Sequence, residues 1–197
     1  KRSIDKLSTD IENLFDLEKF SKGFAVYDHS LITNFSEILS DSMILFKQFA
    51  SKKNIKISEK IEPGIFIKAD PLSINRVINN LVGNAIKYSS EASGIDVMLS
   101  KENERVIFGV YDNGPGITGE MQRKVFEPYF QINSQKRNTQ GMGLGLPIVK
   151  KVIEDLNGKI EITSNPAIKP GTKVIVELKR YTLSANEHVS TVNIPKA

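Results

Sequence analysis

The sequence predicts an α+β fold: a two-layer sandwich whose mixed, mostly antiparallel sheet of about five strands carries about three helices on one face, preceded by one more helix. Residues 95–99, 159–164 and 172–179 alternate apolar and polar side chains, the pattern of half-buried strands. The segments holding Phe35, Ile74 and Val149 instead repeat apolar residues every three or four positions, the pattern of helices with one buried stripe. The run at 106–111 is apolar almost throughout and reads as a strand buried on both faces.

Size and composition limit what the chain can be. Its 197 residues, 40% hydrophobic, suffice for one good core with a small appendage. The net charge of +4 and pI near 9.1 come from Lys and Arg interleaved with Asp and Glu, without a basic block or an aromatic ladder, so nucleic acid is not expected as a partner. The absence of cysteine excludes disulfides and thiolate metal sites, and two histidines offer little for zinc. No apolar run reaches membrane-spanning length, and the chain starts at Lys1 without a signal-like segment. The expectation is a cytoplasmic piece of a longer protein, without membrane contact of its own.

Taken in order, Ile4, Leu7, Ile11 and Leu14 form a narrow seam on a first helix that ends at Lys22-Gly23. Such a seam suits a partner helix, as in a helical hairpin or coiled coil, although docking on its own domain stays open. Phe24 and Val26 suggest a short strand. Leu31, Phe35, Ile38, Leu39, Ser42, Leu45, Phe46 and Phe49 mark a second, amphipathic helix, and residues 55–58 and 66–69 read as short strands around Glu62-Pro63-Gly64.

Asp70-Pro71 is a helix start, a capping carboxylate followed by proline at the first helical position. Ile74, Val77, Ile78, Leu81, Ala85 and Tyr88 are the expected core stripe of this helix. Arg76, Asn80, Asn84 and Lys87 form a second stripe beside Gly83. Two Asn four residues apart in an apolar helix cost propensity and amide solvation unless something claims them. An amide oxygen can ligate a hard cation such as magnesium, and Lys87 can meet its phosphates.

The strand at 95–99 hairpins through residues 101–104 into the apolar run, which delivers Asp112 into the turn Asn113-Gly114-Pro115-Gly116-Ile117. A lone carboxylate at the end of an apolar wall can accept a hydrogen bond from an exocyclic amine, while the glycines let a flat ligand lie close. A short helical piece at 120–125 and the aromatic segment 126–130 lead into a polar, aperiodic stretch, 131–140. That stretch ends in Gly141-Met142-Gly143-Leu144-Gly145-Leu146, where a helix begins, and suggests a lid with a glycine hinge. Glycines leading into a helix expose N–H groups at its positive end, which suits phosphate. The string is neither the dinucleotide fingerprint nor a P-loop, because no buried strand precedes it and no Gly-Lys-Ser/Thr follows. Two strands, 159–164 and 172–179, form a final hairpin through Pro170-Gly171-Thr172, and 181–197 reads as a polar linker or tail.

Together these stretches resemble the N, G1 and G2 boxes of sensor histidine kinases: 80–88, 112–117 and 141–146, in order and at familiar separations. Residues 126–130 resemble the F box and Gly171-Thr172 the last glycine motif, so the likeness covers about 24–180. The first helix, with Asp16-Leu17-Glu18-Lys19-Phe20, resembles the second helix of the dimerisation and phosphotransfer hairpin. The resemblance implies a Bergerat-type ATP-binding fold, divided as hairpin helix 1–22, catalytic domain 23–180 and tail 181–197. It implies ATP and Mg²⁺ as cofactors, with Asp112 accepting from adenine, Asn84 ligating the metal, Asn80 and Lys87 attending the phosphates and Tyr88 near the base or ribose. Gly114, Gly116 and Ile117 would line the nucleotide, with Thr172 nearby. Gly141, Met142, Gly143, Leu144, Gly145 and Leu146 would wrap the triphosphate, with Lys136, Arg137 or Gln140 reaching the γ-phosphate. Met142 departs from the usual Thr or Ser.

The implied partners are a phosphoacceptor histidine helix of the same or a partner subunit, a response-regulator receiver domain and a second copy in a homodimer. The parent would be anchored in a bacterial membrane. His29 does not fit the acceptor role, since Ser30 replaces the expected acid and His29 follows the hairpin helix rather than preceding it. Two alternatives remain: an ATPase of the gyrase, Hsp90 or mismatch-repair type, which needs a catalytic Glu near the first Asn, where Asn79 and Asn80 offer none, or a nucleotide-dead interaction module using the first helix.

Overall fold

The computed structural model describes Glu18 and residues 27–132 and 142–184. The expectations for the first helix (apart from Glu18, which is helical), for the strand around Phe24 and Val26, for Lys136, Arg137, Gln140 and Gly141, and for most of the tail lie outside the described residues.

The described chain runs β1 (Ile32–Asn34), α1 (Phe35–Ser51), β2 (Lys56–Ile61), β3 (Phe66–Lys68), α2 (Pro71–Tyr88), β4 (Gly94–Glu102) and β5 (Arg105–Asp112), then α3 (Gly119–Lys124), α4 (Gly145–Asp155), β6 (Lys159–Asn165) and β7 (Lys169–Lys179). The five-stranded sheet has the order β2-β4-β5-β7-β6, parallel only at β2–β4. A small antiparallel pair, β1 with β3, stands apart. This is the expected mixed, mostly antiparallel sheet.

Local chemistry starts the helices where they begin. The Asn34 side chain accepts from the Glu37 N–H at 3.3 Å, and the Asp70 carboxylate accepts from the Leu72 N–H at 2.8 Å with Pro71 next to it. The far end of α2 is held by Lys53, whose Nζ donates to the carbonyls of Ile86 and Lys87 at 2.9 and 3.1 Å.

The core lies between the sheet and the helix layer. Every second residue of β5 (Val106, Phe108, Val110) is buried beneath α1 and α2, and Phe108 meets Phe35 edge to face with ring centroids 5.4 Å apart. Ile74, Ile78, Ile148 and Val149 are fully buried from the helix side.

Three expectations change. The central strand is not buried on both faces: Ile107 and Tyr111 are only half-buried, because helices cover one side of the sheet. On the open side Met98 and Ile175 lean over Gly109, where a Cβ would come within 2.8 and 2.9 Å of them. The second helix begins at Phe35 rather than Leu31, and its Leu45 and Phe49 point outward at 58% and 55% exposure. Tyr88 leaves the core stripe at 50% exposure.

The Phe35–Phe108 contact gives a direct test. Phe108→Ala is expected to cost about 3–5 kcal/mol of unfolding free energy in urea melts, whereas Ile107→Ala, on the open face, costs less than about 1.5 kcal/mol.

Candidate functional site

A cleft of about 320 Å³ opens between the second half of α2, the end of β5 and the start of α4. Its floor comes from strand periodicity. Because β5 buries its even-numbered residues, Asp112 falls on the core face at the strand's last position, between Ile95 of β4 and Thr172 of β7. Only 9% exposed, its Oδ1 accepts from the Gly114 N–H at 2.8 Å, and the Thr172 backbone also hydrogen-bonds to it. Burial raises its pKa above the ordinary carboxylate range, against the lowering effect of these two backbone donors. Around it Val110, Ile117, Ile162 and Val174 supply apolar surface, so the floor suits a flat, mostly apolar ligand with one polar edge.

The α2 wall brings Asn80, Asn84, Lys87 and Tyr88 together, as their spacing predicts. The two amides differ. Asn80 Nδ2 donates to the Arg76 carbonyl at 2.8 Å, and its Oδ1 lies against Gly145, so close that a Cβ there would clash. It is claimed by its own helix and by the start of α4. The Asn84 amide, half-buried, makes no side-chain hydrogen bond among the described residues, which leaves its oxygen available as a hard ligand. Lys87 Nζ meets the Tyr88 hydroxyl at 3.0 Å and lies 4.6 Å from its ring centre. Arg76, on the same stripe, turns instead to the Tyr27 hydroxyl at 3.3 Å.

Met142, Gly143, Leu144, Gly145 and Leu146 line the third side, with Leu144 buried as the anchor. The aromatic segment and the glycines meet: the Tyr129 N–H donates to the Gly143 carbonyl at 3.1 Å. Gly143 has φ of +74° and backs onto Phe130 so closely that a Cβ would sit 2.7 Å from its carbonyl oxygen, so only glycine fits.

Sequence reasoning missed the latch behind the Asp112 turn. Ser164 Oγ accepts from the Ile117 N–H at 2.8 Å and donates to the Gly171 carbonyl at 2.6 Å, while Gln122 Nε2 reaches the Ile117 and Ser164 carbonyls at 2.7 and 2.6 Å. Asn113 ties the turn to Gly94 at 2.7 Å. Gly116, with φ of +79°, passes so near Ser164 that a Cβ would lie 2.8 Å from its hydroxyl. The partners of a serine on an alternating strand are set by tertiary pairing, so no local signal marked it. Gly114 and Thr172 belong to this framework, Gly114 packing against Asp112 and the Tyr88 carbonyl rather than lining the cleft. His29 lies elsewhere, with Asp70 and Asp155 as neighbours.

Comparison with known proteins bears on this arrangement. The family of histidine kinase-, DNA gyrase B- and HSP90-like ATPases matches residues 69–182, more than half of the chain and every element of the cleft. The chain belongs to this ATPase family. Among curated relatives it is similar to the sensor protein GacS of Pseudomonas syringae, 29% identical over 99% of the chain and 22% of that protein. It is also similar to the alginate biosynthesis sensor protein KinB of Pseudomonas aeruginosa, 39% identical over 51% of the chain and 16% of that protein. A third relative is the adaptive-response sensory kinase SasA of Synechocystis, 33% identical over 79% of the chain and 41% of that protein. The chain thus spans about a fifth of the first of these. Among solved structures, the catalytic domain of the histidine kinase ThkA superposes with a TM-score of 0.67 at 30% identity, covering 79% of this chain and 97% of that one. Full-length ShkA in complex with AMPPNP gives 0.77 at 26%, covering 93% and 38%. The fold is that of histidine kinase catalytic domains, and the family's nucleotide is ATP.

Two outcomes test this geometry. Ser164→Ala frees the Ile117 N–H and the Gly171 carbonyl together and is expected to cost about 1–3 kcal/mol, with faster amide exchange at Ile117 than in the parent. Because burial raises the pKa of Asp112 in the folded state, its ionised form opposes folding above that pKa, and the handicap disappears as pH falls through it. Asp112→Asn is therefore expected to melt higher than the parent at pH 8, with the gap closing as the pH approaches the ordinary Asp value of about 4.

Proposed function

We propose that the cleft binds Mg-ATP and that this chain is the ATP-binding, phosphoryl-donating part of a two-component sensor histidine kinase. The observation that carries the reading is Asp112, a buried acceptor on the floor of the same cleft that Asn84, Lys87 and the start of α4 line. One end suits an adenine amine and the other a triphosphate.

Each side chain then has a task. Asp112 accepts from the exocyclic amine, while Ile117 and the apolar floor hold the ring, with Tyr88 beside the base or ribose. Lys87 and the N–H groups at the start of α4 offset phosphate charge, the latter at the positive end of a helix. Met142 fits here, because backbone rather than side-chain donors carry that end. Asn80 positions the start of α4 against α2 rather than reacting. Asn84 fits a magnesium ion, which takes hard oxygen ligands and is bound through few protein groups together with phosphates; among the described residues no cluster of His, Asp and Glu competes for a metal. When bound, the ion would offset the negative charge of the phosphates.

The reaction breaks the bond between the terminal phosphorus and its bridging oxygen, leaves ADP, and forms a phosphorus–nitrogen bond on a histidine of a hairpin helix in the same or a partner subunit. The phosphoryl group then passes to an aspartate of a response-regulator receiver domain. Transfer is favoured over hydrolysis by the cleft itself. Among the described residues lining it, Asp112 is the one carboxylate, and it is occupied on the floor, so no general base stands ready for water. His29 lies at the opposite end of α2 from Asn84, which keeps it from the acceptor role. The assignment of 1–22 to the hairpin, 23–180 to the catalytic domain and 181–197 to a tail belongs to the same reading. So do a homodimeric, membrane-anchored parent and a cytoplasmic location. Tyr181 supports a slightly later boundary, since its N–H donates to the Phe66 carbonyl at 2.8 Å.

Calorimetric titration with ADP and a nonhydrolysable ATP analogue, with and without magnesium, tests the reading. Asn84→Ala is expected to lose the magnesium-dependent part of the affinity, about tenfold or more. Unchanged Mg-nucleotide affinity in that variant would overturn the metal assignment, and unchanged affinity in Asp112→Asn the adenine assignment.

A further inference from the structure

A second cleft, also about 320 Å³, lies at the other end of the helix layer, lined by the end of α4, the end of β7 and the chain entering at His29. Since α4 reaches the nucleotide cleft with Gly145 and this one with Asp155, the two are separated by roughly the helix's own length, about 16 Å for eleven residues.

Its lining is unequal in charge. Lys68, Lys179 and Arg180 face it with His29, against a single carboxylate, Asp155, which Lys151 already engages at 2.7 Å. The other carboxylates beside His29 are also spoken for. Asp28 accepts from the Ser30 N–H and hydroxyl at 3.0 and 2.6 Å, and Asp70 accepts from the N–H groups of Leu72 and Asp28 at 2.8 and 3.1 Å. Among the described residues, no carboxylate pairs with Lys68, Lys179 or Arg180. Lys68 Nζ stands 5.0 Å from the Tyr181 ring centre, and Arg180 donates through Nη1 to the Asn103 carbonyl at 3.5 Å while its Nε is buried without an acceptor. A buried guanidinium N–H without a partner costs free energy that an anion would recover. The floor is apolar, made by Ile67, Leu156 and Leu178, and the space exceeds that of a bare inorganic ion.

We propose that this cleft is a second ligand site, for a small organic anion: a phosphate monoester or carboxylate held by Lys68, Lys179 and Arg180, with an apolar or planar body resting on Ile67, Leu156 and Leu178. The site is independent of the nucleotide reading. His29 reports on it. The Asp70 N–H approaches His29 Nδ1 at 3.4 Å, so the neutral ring carries its proton on Nε2. Burial lowers the pKa of the ring, outweighing the opposite pull of Asp155, Asp70 and Asp28. An anion seated beside it raises that pKa, so binding tightens as pH falls.

The chain has two histidines, His29 and His188, so their two imidazole C2–H resonances form a built-in pair of probe and control. Titrating the full chain with phenyl phosphate, and separately with benzoate, at constant ionic strength is expected to shift the His29 resonance saturably and leave that of His188 in place. Tighter binding of phenyl phosphate assigns the site to phosphate esters, and tighter binding of benzoate to carboxylates. The double variant Lys68→Gln/Lys179→Gln alters two exposed side chains and is expected to weaken binding about tenfold or more. Asp112→Asn is expected to leave the His29 response unchanged even where it abolishes nucleotide binding. Equal, unsaturable shifts at both histidines, or parental affinity in the double variant, would overturn the proposal.

Discussion

The structure depends on one carboxylate kept where water is scarce. Asp112 ends the core-facing row of the central strand, and an ionised group in that position costs free energy unless donors meet it. The turn that follows meets this demand: Gly114 folds back to donate to Oδ1, and the Thr172 backbone donates from the neighbouring strand. What remains of the carboxylate's capacity opens into the cleft. The site is thus a strand end that has exchanged an apolar side chain for an acceptor, with backbone donors of the surrounding turn and strand meeting it.

That arrangement explains why the sheet and helices need each other here. The Asp112 turn is fastened sideways to the last hairpin through Ser164 and through Gln122 of α3. The wall is fastened differently. Asn80 packs against Gly145, which sets how closely α2 and α4 approach, and Lys53 holds the carbonyls at the end of α2, near Tyr88. The half-buried amide of Asn84 makes no side-chain hydrogen bond among the described residues and faces the cleft.

Much of this was legible in the sequence, for physical reasons. The apolar run placed Asp112 at a strand end and period 3.6 placed Asn80, Asn84 and Lys87 on one helix face, because both follow from local backbone geometry. The cap at Asp70 is equally local. What escaped depends on distant partners. An apolar run such as 106–111 does not say whether one or two layers cover it, and here one does, so Ile107 and Tyr111 stay half-exposed. Leu45 and Phe49 look like core by spacing, yet both stay more than half exposed, with Lys52 Nζ over the Phe49 ring. The hydroxyl of Ser164 gains its meaning only when β6 and β7 bring it between Ile117 and Gly171. The charge imbalance around Lys68, Lys179 and Arg180 assembles residues from three separate parts of the chain.

The hydrogen bond from Tyr129 to Gly143 closes a loop at its neck. It ties residues fourteen apart in the sequence by their backbones, so the aromatic segment and the start of α4 share one anchor. A side chain added at Gly143 would therefore be felt twice, by the seat of Phe130 and by the mouth of the cleft that Phe130, Met142 and Leu144 line together.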